Sequence, residues 1–207
     1  MTLGQTVFIL APAFAFSWPI SRTLGMGICL SSLPLFAAAL LGFARQPWGE
    51  PFAWPPRIPG GKLVLAAFAG LAAVVLLEEG YSWVVEHITG KPIPDQMITS
   101  WLGSEMGTRW FSFVAITLVA PTAEEILFRG LVFGAIGKWL SGPWSIVVSA
   151  AVFAVAHLQP IYFLPLFGVG LVLGWARAKT GGLALPILLH SANNCAALLM
   201  TQFPHGQ

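Results

Sequence analysis

Uncharged apolar runs recur along the whole chain, and they leave few folds open. Seven stretches qualify as membrane spans: about Thr6 to Ile20, Leu24 to Phe43, Leu63 to Leu77, Trp110 to Leu140, Pro143 to Leu158, Ile161 to Ala176 and Leu183 to Phe203. In hydrocarbon every backbone N–H and C=O must find its partner within the protein, so runs of this kind become helices. The composition agrees. Hydrophobic residues make up 57% of the chain and charged residues 9%, against about 25% charged in a soluble domain. Mean hydropathy is +0.79. The expectation is an all-α, polytopic transmembrane helix bundle of about seven spans, within a range of six to eight. Residues 1–207 form a single membrane domain, with a motif-bearing core at about 110–203 and extra spans and an interfacial linker in 1–109.

The segments between the spans fit this layout. Arg45 to Lys62 is rich in proline and basic residues, and Trp48 and Trp54 suit an interfacial position. Glu78, Glu79 and Glu86 mark the exit of the third span or an interfacial extension of it. Lys91 to Arg109 is polar, with room for a short amphipathic helix around Met97 to Leu102. The fourth run is too long for one straight crossing, and Pro121 is expected to break or kink it. Gln159-Pro160 ends the fifth. Gly130/Gly134 and Gly170/Gly174 have the spacing of close helix contacts. Arg177 and Lys179 read as topology determinants in a short basic turn. Cys29 and Cys195 read as buried free thiols. No cleavable signal peptide is expected, because the first run lacks a basic leader and reads as a span. No basic cluster invites nucleic acid.

Lys and Arg set the orientation. With seven spans, Arg45, Arg57, Lys62, Lys138, Arg177 and Lys179 fall on one side, and Arg22, Lys91 and Arg109 on the other. The excess places the first side, and the N-terminus, in the cytoplasm.

Ionisable groups inside apolar runs are costly and mark function. Glu124, Glu125 and Arg129 lie in the fourth run. Glu125 and Arg129 are i, i+4 neighbours and can pair. Glu124 points about 100° away around the helix, free to face a cavity. His157 stands near the end of the fifth run, four residues after Phe153. His190 and Asn194 share a helix face in the seventh, with Asn193 at i+3. A carboxylate and a neutral imidazole can hold a water and take its proton. A second imidazole and a carboxamide N–H can donate to an oxyanion. This inventory fits hydrolysis without a protein nucleophile, since Cys195 has no basic partner on its own face. Glu124, His157 and His190 are also a zinc-type ligand set, although the compact H-E-x-x-H motif is absent. The expectation is no cofactor, with zinc as the alternative.

The three groups resemble the CPBP family of CAAX proteases and bacteriocin-processing enzymes, also called the ABI family. Its E-E-x-x-x-R, F-x-x-x-H and H-x-x-x-N patterns stand here as Glu124-Glu125-Ile-Leu-Phe-Arg129, Phe153-Ala-Val-Ala-His157 and His190-Ser-Ala-Asn-Asn194, in the family's order. The likeness covers about half the chain. It implies a glutamate-type intramembrane endopeptidase. In it Glu124 and His157 activate water, His190 and Asn194 stabilise the oxyanion, and Glu125 and Arg129 support the site. Eukaryotic members cut prenylated CAAX proteins. Bacterial members are linked to peptide maturation, bacteriocin immunity and removal of C-terminal sorting tails. The implied partner is a membrane-associated protein or peptide substrate, and the implied location is a bacterial inner membrane. A non-catalytic scaffold or immunity protein and a proton-coupled transporter are the alternatives. By linear depth Glu124, His157 and His190 do not coincide, so convergence is expected to need tilted spans or a split at Pro121.

Overall fold

The computed structural model of this chain describes residues 60–93, 110 and 112–202. The runs at Thr6–Ile20 and Leu24–Phe43, most of the linker and the Met97–Leu102 helix lie outside these residues. The described residues are all helix or turn, with no strand.

Helix α1 spans Gly60–Thr89. Of the two readings of Glu78, Glu79 and Glu86, the helix takes the extension: it runs on past Leu77 and carries all three within it. Nothing between Lys62 and Thr89 breaks a helix strongly enough, and Gly70 and Gly80 cost only about 1 kcal/mol each. Termination waits for Gly90, at φ 67°, with Pro92 beyond. Ala67, Leu71 and Val74 form its buried stripe, the i, i+4, i+7 pattern of one helix face. The other faces present Leu65, Leu76 and Ile88 outward.

Residues 115–136 form one uninterrupted helix, α2, whose hydrogen-bond register changes along it. Ala115–Val119 is π-helical, Ala120–Glu125 is α, Ile126–Val132 is π again and Phe133–Ile136 is α. The expected break at Pro121 does not occur. Val119, Ala120 and Ile126 all keep right-handed helical dihedrals. Proline is tolerated because it opens an α segment immediately after a π turn, where its missing N–H changes the register instead of ending the helix.

Helix α3, Pro143–Ala156, opens with Pro143 in its first turn after Gly142 at φ 55°. It stops before Gln159-Pro160. His157 is the cap, and Leu158 turns the chain out at φ 55°, a left-handed position costly for leucine. A 3₁₀ turn, Pro160–Tyr162, leads into α4, Phe163–Thr180. Arg177 and Lys179 therefore belong to the last turn of α4 and not to a loop. Gly181, at φ 70°, closes that helix, and α5 follows at Ala184–Gln202.

The core is built where these helices cross. Leu127, Phe128 and Leu131 of α2, Phe153 of α3, Leu173 of α4 and Leu189 of α5 meet Leu71 and Val74 of α1. A second cluster joins Ala115, Ile116 and Ala120 of α2 to Leu198 of α5. Helices α3 and α4 approach closely because α4 has glycine at the crossing. A Cβ on Gly170 would lie 2.9 Å from Ala150 Cα, and one on Gly174 would lie 3.1 Å from Ile146 Cγ2. Gly134, expected to serve the same purpose, has nothing within 4 Å of its would-be Cβ.

The distribution of polarity is inverted relative to a water-soluble protein. Trp83, Trp110, Trp139 and Trp144 are exposed, whereas Glu125, Arg129 and His190 are buried. Fully buried charges are rare in soluble proteins unless paired. Two helices, Gly61–Thr89 and Pro160–Thr180, are long and apolar enough to cross a bilayer, and Pro143–Ala156 and Ala184–Met200 are shorter apolar helices. The chain is an integral membrane protein; the described residues do not reach the expected count of seven spans.

Candidate active site

Four helices contribute to the polar centre. Glu124 and Glu125 close the α segment of α2, and Arg129 sits in the π turn that follows. His157 caps α3, and His190 lies in the second turn of α5.

Glu125 anchors this centre. Its Oε1 accepts a hydrogen bond from Arg129 Nη1 at 2.9 Å and from His190 Nδ1 at 2.9 Å, and both Glu125 and Arg129 are fully buried. The arginine pair is the i, i+4 contact expected from spacing. The histidine contact was not expected, because it depends on how α5 crosses α2. Arg129 also donates from Nη2 to the Gly170 carbonyl of α4, at 3.2 Å, and lays its guanidinium 4.4 Å from the Phe153 ring centre. These contacts offset the cost of burying the two charges, although Glu125 Oε2 and Arg129 Nε have no hydrogen-bond partner among the described residues.

Phe153 sorts the site geometrically. Its ring meets His157 edge to face at 4.6 Å and His190 at 5.6 Å. Sequence reasoning recognised this phenylalanine as part of a motif but gave it no task. The motif spacing was the available signal: a residue four positions before His157 shares its helix face.

Glu124 is turned from Glu125 around the helix, and the two carboxylates meet His190 at different ring nitrogens, Glu125 at Nδ1 and Glu124 near Nε2. Its Oε2 lies 3.9 Å from His157 Nε2 and 3.8 Å from His190 Nε2. Both distances exceed a hydrogen bond and leave room for a small bridging molecule. Oε2 has no hydrogen-bond partner among the described residues. Glu124 and His157 are partly open, with side chains 21% and 24% exposed, while His190 is only 5% exposed. The three groups converge without a split at Pro121, so that condition for convergence was unnecessary.

The two imidazoles have their Nδ1 atoms engaged. His157 Nδ1 lies 2.8 Å from the Phe153 carbonyl and must donate to it. His190 Nδ1 faces the Glu125 carboxylate and must donate as well. When neutral, both rings therefore turn an Nε2 lone pair toward Glu124. Asn194 is placed differently from its partners. Its Nδ2 donates to the Ile116 carbonyl at 3.0 Å, which fixes the amide's orientation and leaves one N–H unassigned.

Two further residues were missed. Arg177 Nε donates to the Arg129 carbonyl at 3.1 Å, and the Ser149 hydroxyl reaches the Phe128 carbonyl at 3.5 Å. Both acceptors lie in the π turn. Arg177 thus supports the site in addition to any effect on topology. Among the described residues, no group of three or more His, Cys, Asp and Glu side chains is arranged to hold a metal ion. The chemistry below is derived for the side chains of this chain.

Comparison with known proteins falls on this same region. Residues 106–196 match the family of type II CAAX prenyl endopeptidases of the Rce1-like kind. The chain is 28% identical over 153 residues to an uncharacterized 24.3 kDa protein of Escherichia coli, covering 70% of this chain and 63% of that one. It is 31% identical over 86 residues to the membrane-embedded CAAX protease MroQ of Staphylococcus aureus (strain USA300), covering 38% of this chain and 34% of that one. Identity to YdiL of Bacillus subtilis (strain 168) is 25% over 91 residues, covering 44% and 37%. Each match spans less than two thirds of the relative's own length. No solved structure matches the chain. The three motifs, and the buried network they build, fall within residues 106–196, the stretch that is similar to the Rce1-like family.

Proposed function

We propose that this protein is an intramembrane endopeptidase that hydrolyses a peptide bond of a membrane-associated protein or peptide, using a water activated by Glu124 and His157. The observation that carries the reading is the convergence of Glu124 Oε2 with His157 Nε2 at 3.9 Å and His190 Nε2 at 3.8 Å, inside an otherwise apolar bundle.

The chemistry follows from the donors and acceptors. Glu124 Oε2 and His157 Nε2 are both acceptors, so a water between them is oriented by its two protons and turns a lone pair toward the substrate. As the water oxygen bonds to the scissile carbonyl carbon, one of its protons passes to Glu124. The carbonyl oxygen becomes an oxyanion. His190, held at Nδ1 by Glu125 at 2.9 Å, donates to that oxygen from Nε2 once that nitrogen carries a proton. The remaining Asn194 N–H is the second donor. The C–N bond then breaks, and the proton held on Glu124 moves to the leaving amine. Arg129 offsets the Glu125 charge and ties it to α4.

A C-terminal sorting tail or a short secreted peptide is the substrate class proposed, in a bacterial inner membrane with the N-terminus in the cytoplasm. The name of the Staphylococcus relative, a CAAX protease, supports the reaction class. The test is cleavage by membranes carrying Glu124→Gln or His157→Ala. Each variant should accumulate normally and process nothing, with wild-type cleavage unaffected by chelators. Intact processing by both variants would refute the proposal.

A further inference from the structure

The π turn before Pro121 leaves one backbone carbonyl without a donor. In Ala115–Val119 the register is i to i−5, and the Ala120 N–H bonds to the Ala115 carbonyl. The Ile116 carbonyl has two possible donors within the helix. The α-type donor, the N–H of Ala120, is used on Ala115. The π-type donor would be residue 121, and proline has no N–H. Ile116 is fully buried, so its carbonyl cannot turn to water, and a buried unpaired carbonyl is costly. Asn194 fills the gap, donating from Nδ2 at 3.0 Å across 78 residues of sequence.

We infer that Pro121 is a positioning residue for Asn194, acting through the carbonyl it leaves open at Ile116. The inference rests on the proposed role of Asn194 as an oxyanion donor. A carboxamide free to rotate would present nitrogen or oxygen to the substrate in turn. With one N–H tied to Ile116, the nitrogen end is fixed and its second N–H has a single direction. The proline selects the register, the register opens the carbonyl, and the carbonyl aims the amide.

Pro121→Ala and Pro121→Gly restore an N–H that can claim the Ile116 carbonyl and release Asn194. Both should lower kcat by about tenfold or more with KM unchanged, with the protein present in membranes at wild-type level. In an Asn194→Ala background the same substitutions should change kcat less than twofold, because the amide they act through is gone. Isotope-edited infrared spectroscopy of a labelled Ile116 carbonyl gives a readout independent of activity. Its amide band should shift on Asn194→Ala in an otherwise wild-type chain, and shift less when Pro121 is already alanine. Full activity of both Pro121 variants, or equal losses with and without Asn194, would overturn the inference. Full activity of Asn194→Ala, with Glu124→Gln inactive, would remove the oxyanion role on which it rests and leave the protease reading standing.

Discussion

The chain contains two adjacent glutamate pairs in apolar helices, and they have opposite surroundings. Glu78-Glu79 lies in α1, with Glu78 half-buried and Glu79 exposed, and among the described residues neither forms an ion pair. Glu124-Glu125 lies in α2, where Glu125 is fully buried and bonded to Arg129 and His190, and Glu124 faces two imidazoles. The dipeptide is the same; the residue one turn later is not. Four positions after Glu125 stands Arg129, whereas Ser82 and Trp83 stand four after Glu78 and Glu79. Paired carboxylates in an apolar helix therefore do not define a site. A buried counter-charge at i+4 does, because only then can one carboxylate remain ionised within the bundle while its neighbour is turned elsewhere.

The widest separation between the two pairs is expected in activity. Glu124→Gln should remove cleavage, a loss on the scale of about 10²- to 10⁴-fold for a general base. Glu78→Gln and Glu79→Gln should leave cleavage at wild-type rate, and a loss from either would merge the two classes. Stability should separate them next. Arg129→Ala leaves the Glu125 carboxylate buried without its cation and should cost about 3–5 kcal/mol, read as lowered thermal stability in detergent. The double variant Glu125→Gln/Arg129→Ala should be less destabilised than Arg129→Ala alone, and the reverse order would break the ion-pair argument. A smaller effect is expected at the helix contact behind Arg129. Gly170→Ala places a Cβ 2.9 Å from Ala150 and should cost about 1–3 kcal/mol by overpacking. Gly134→Ala, with open space around it, should be neutral or slightly stabilising. Smallest of all, the two α1 glutamine variants should move stability by no more than about 0.5 kcal/mol.

Local relations were legible in the sequence, and relations between helices were not. The Glu125–Arg129 pair, the divergence of Glu124 from Glu125 and the tight approach at Gly170 and Gly174 all follow from helical periodicity. Hydropathy located α1, α3, α4 and α5 to within a turn at most ends. The contact of His190 with Glu125 was hidden, because no periodicity within α2 or α5 states how they cross. Pro121 was misread for a related reason. Its missing N–H is a local fact, but whether a helix breaks or shifts register depends on a donor elsewhere, here Asn194. Arg177 was read as a topological charge because its acceptor, the Arg129 carbonyl, lies 48 residues away.

The end of α3 carries one more consequence. The N–H of His157 reaches the Ala154 carbonyl, at 3.3 Å, and its ring Nδ1 reaches back to the Phe153 carbonyl, at 2.8 Å. The imidazole thus closes the helix that presents it. Its aim is set by where the backbone stops and by the Phe153 ring packed against it. Replacing the exposed Val155 by another helix-compatible residue leaves that geometry in place. Inserting or deleting one residue between Phe153 and His157 swings the ring about 100° around the axis and strips the helix of its cap. A site built this way tolerates drift in composition and resists change in length.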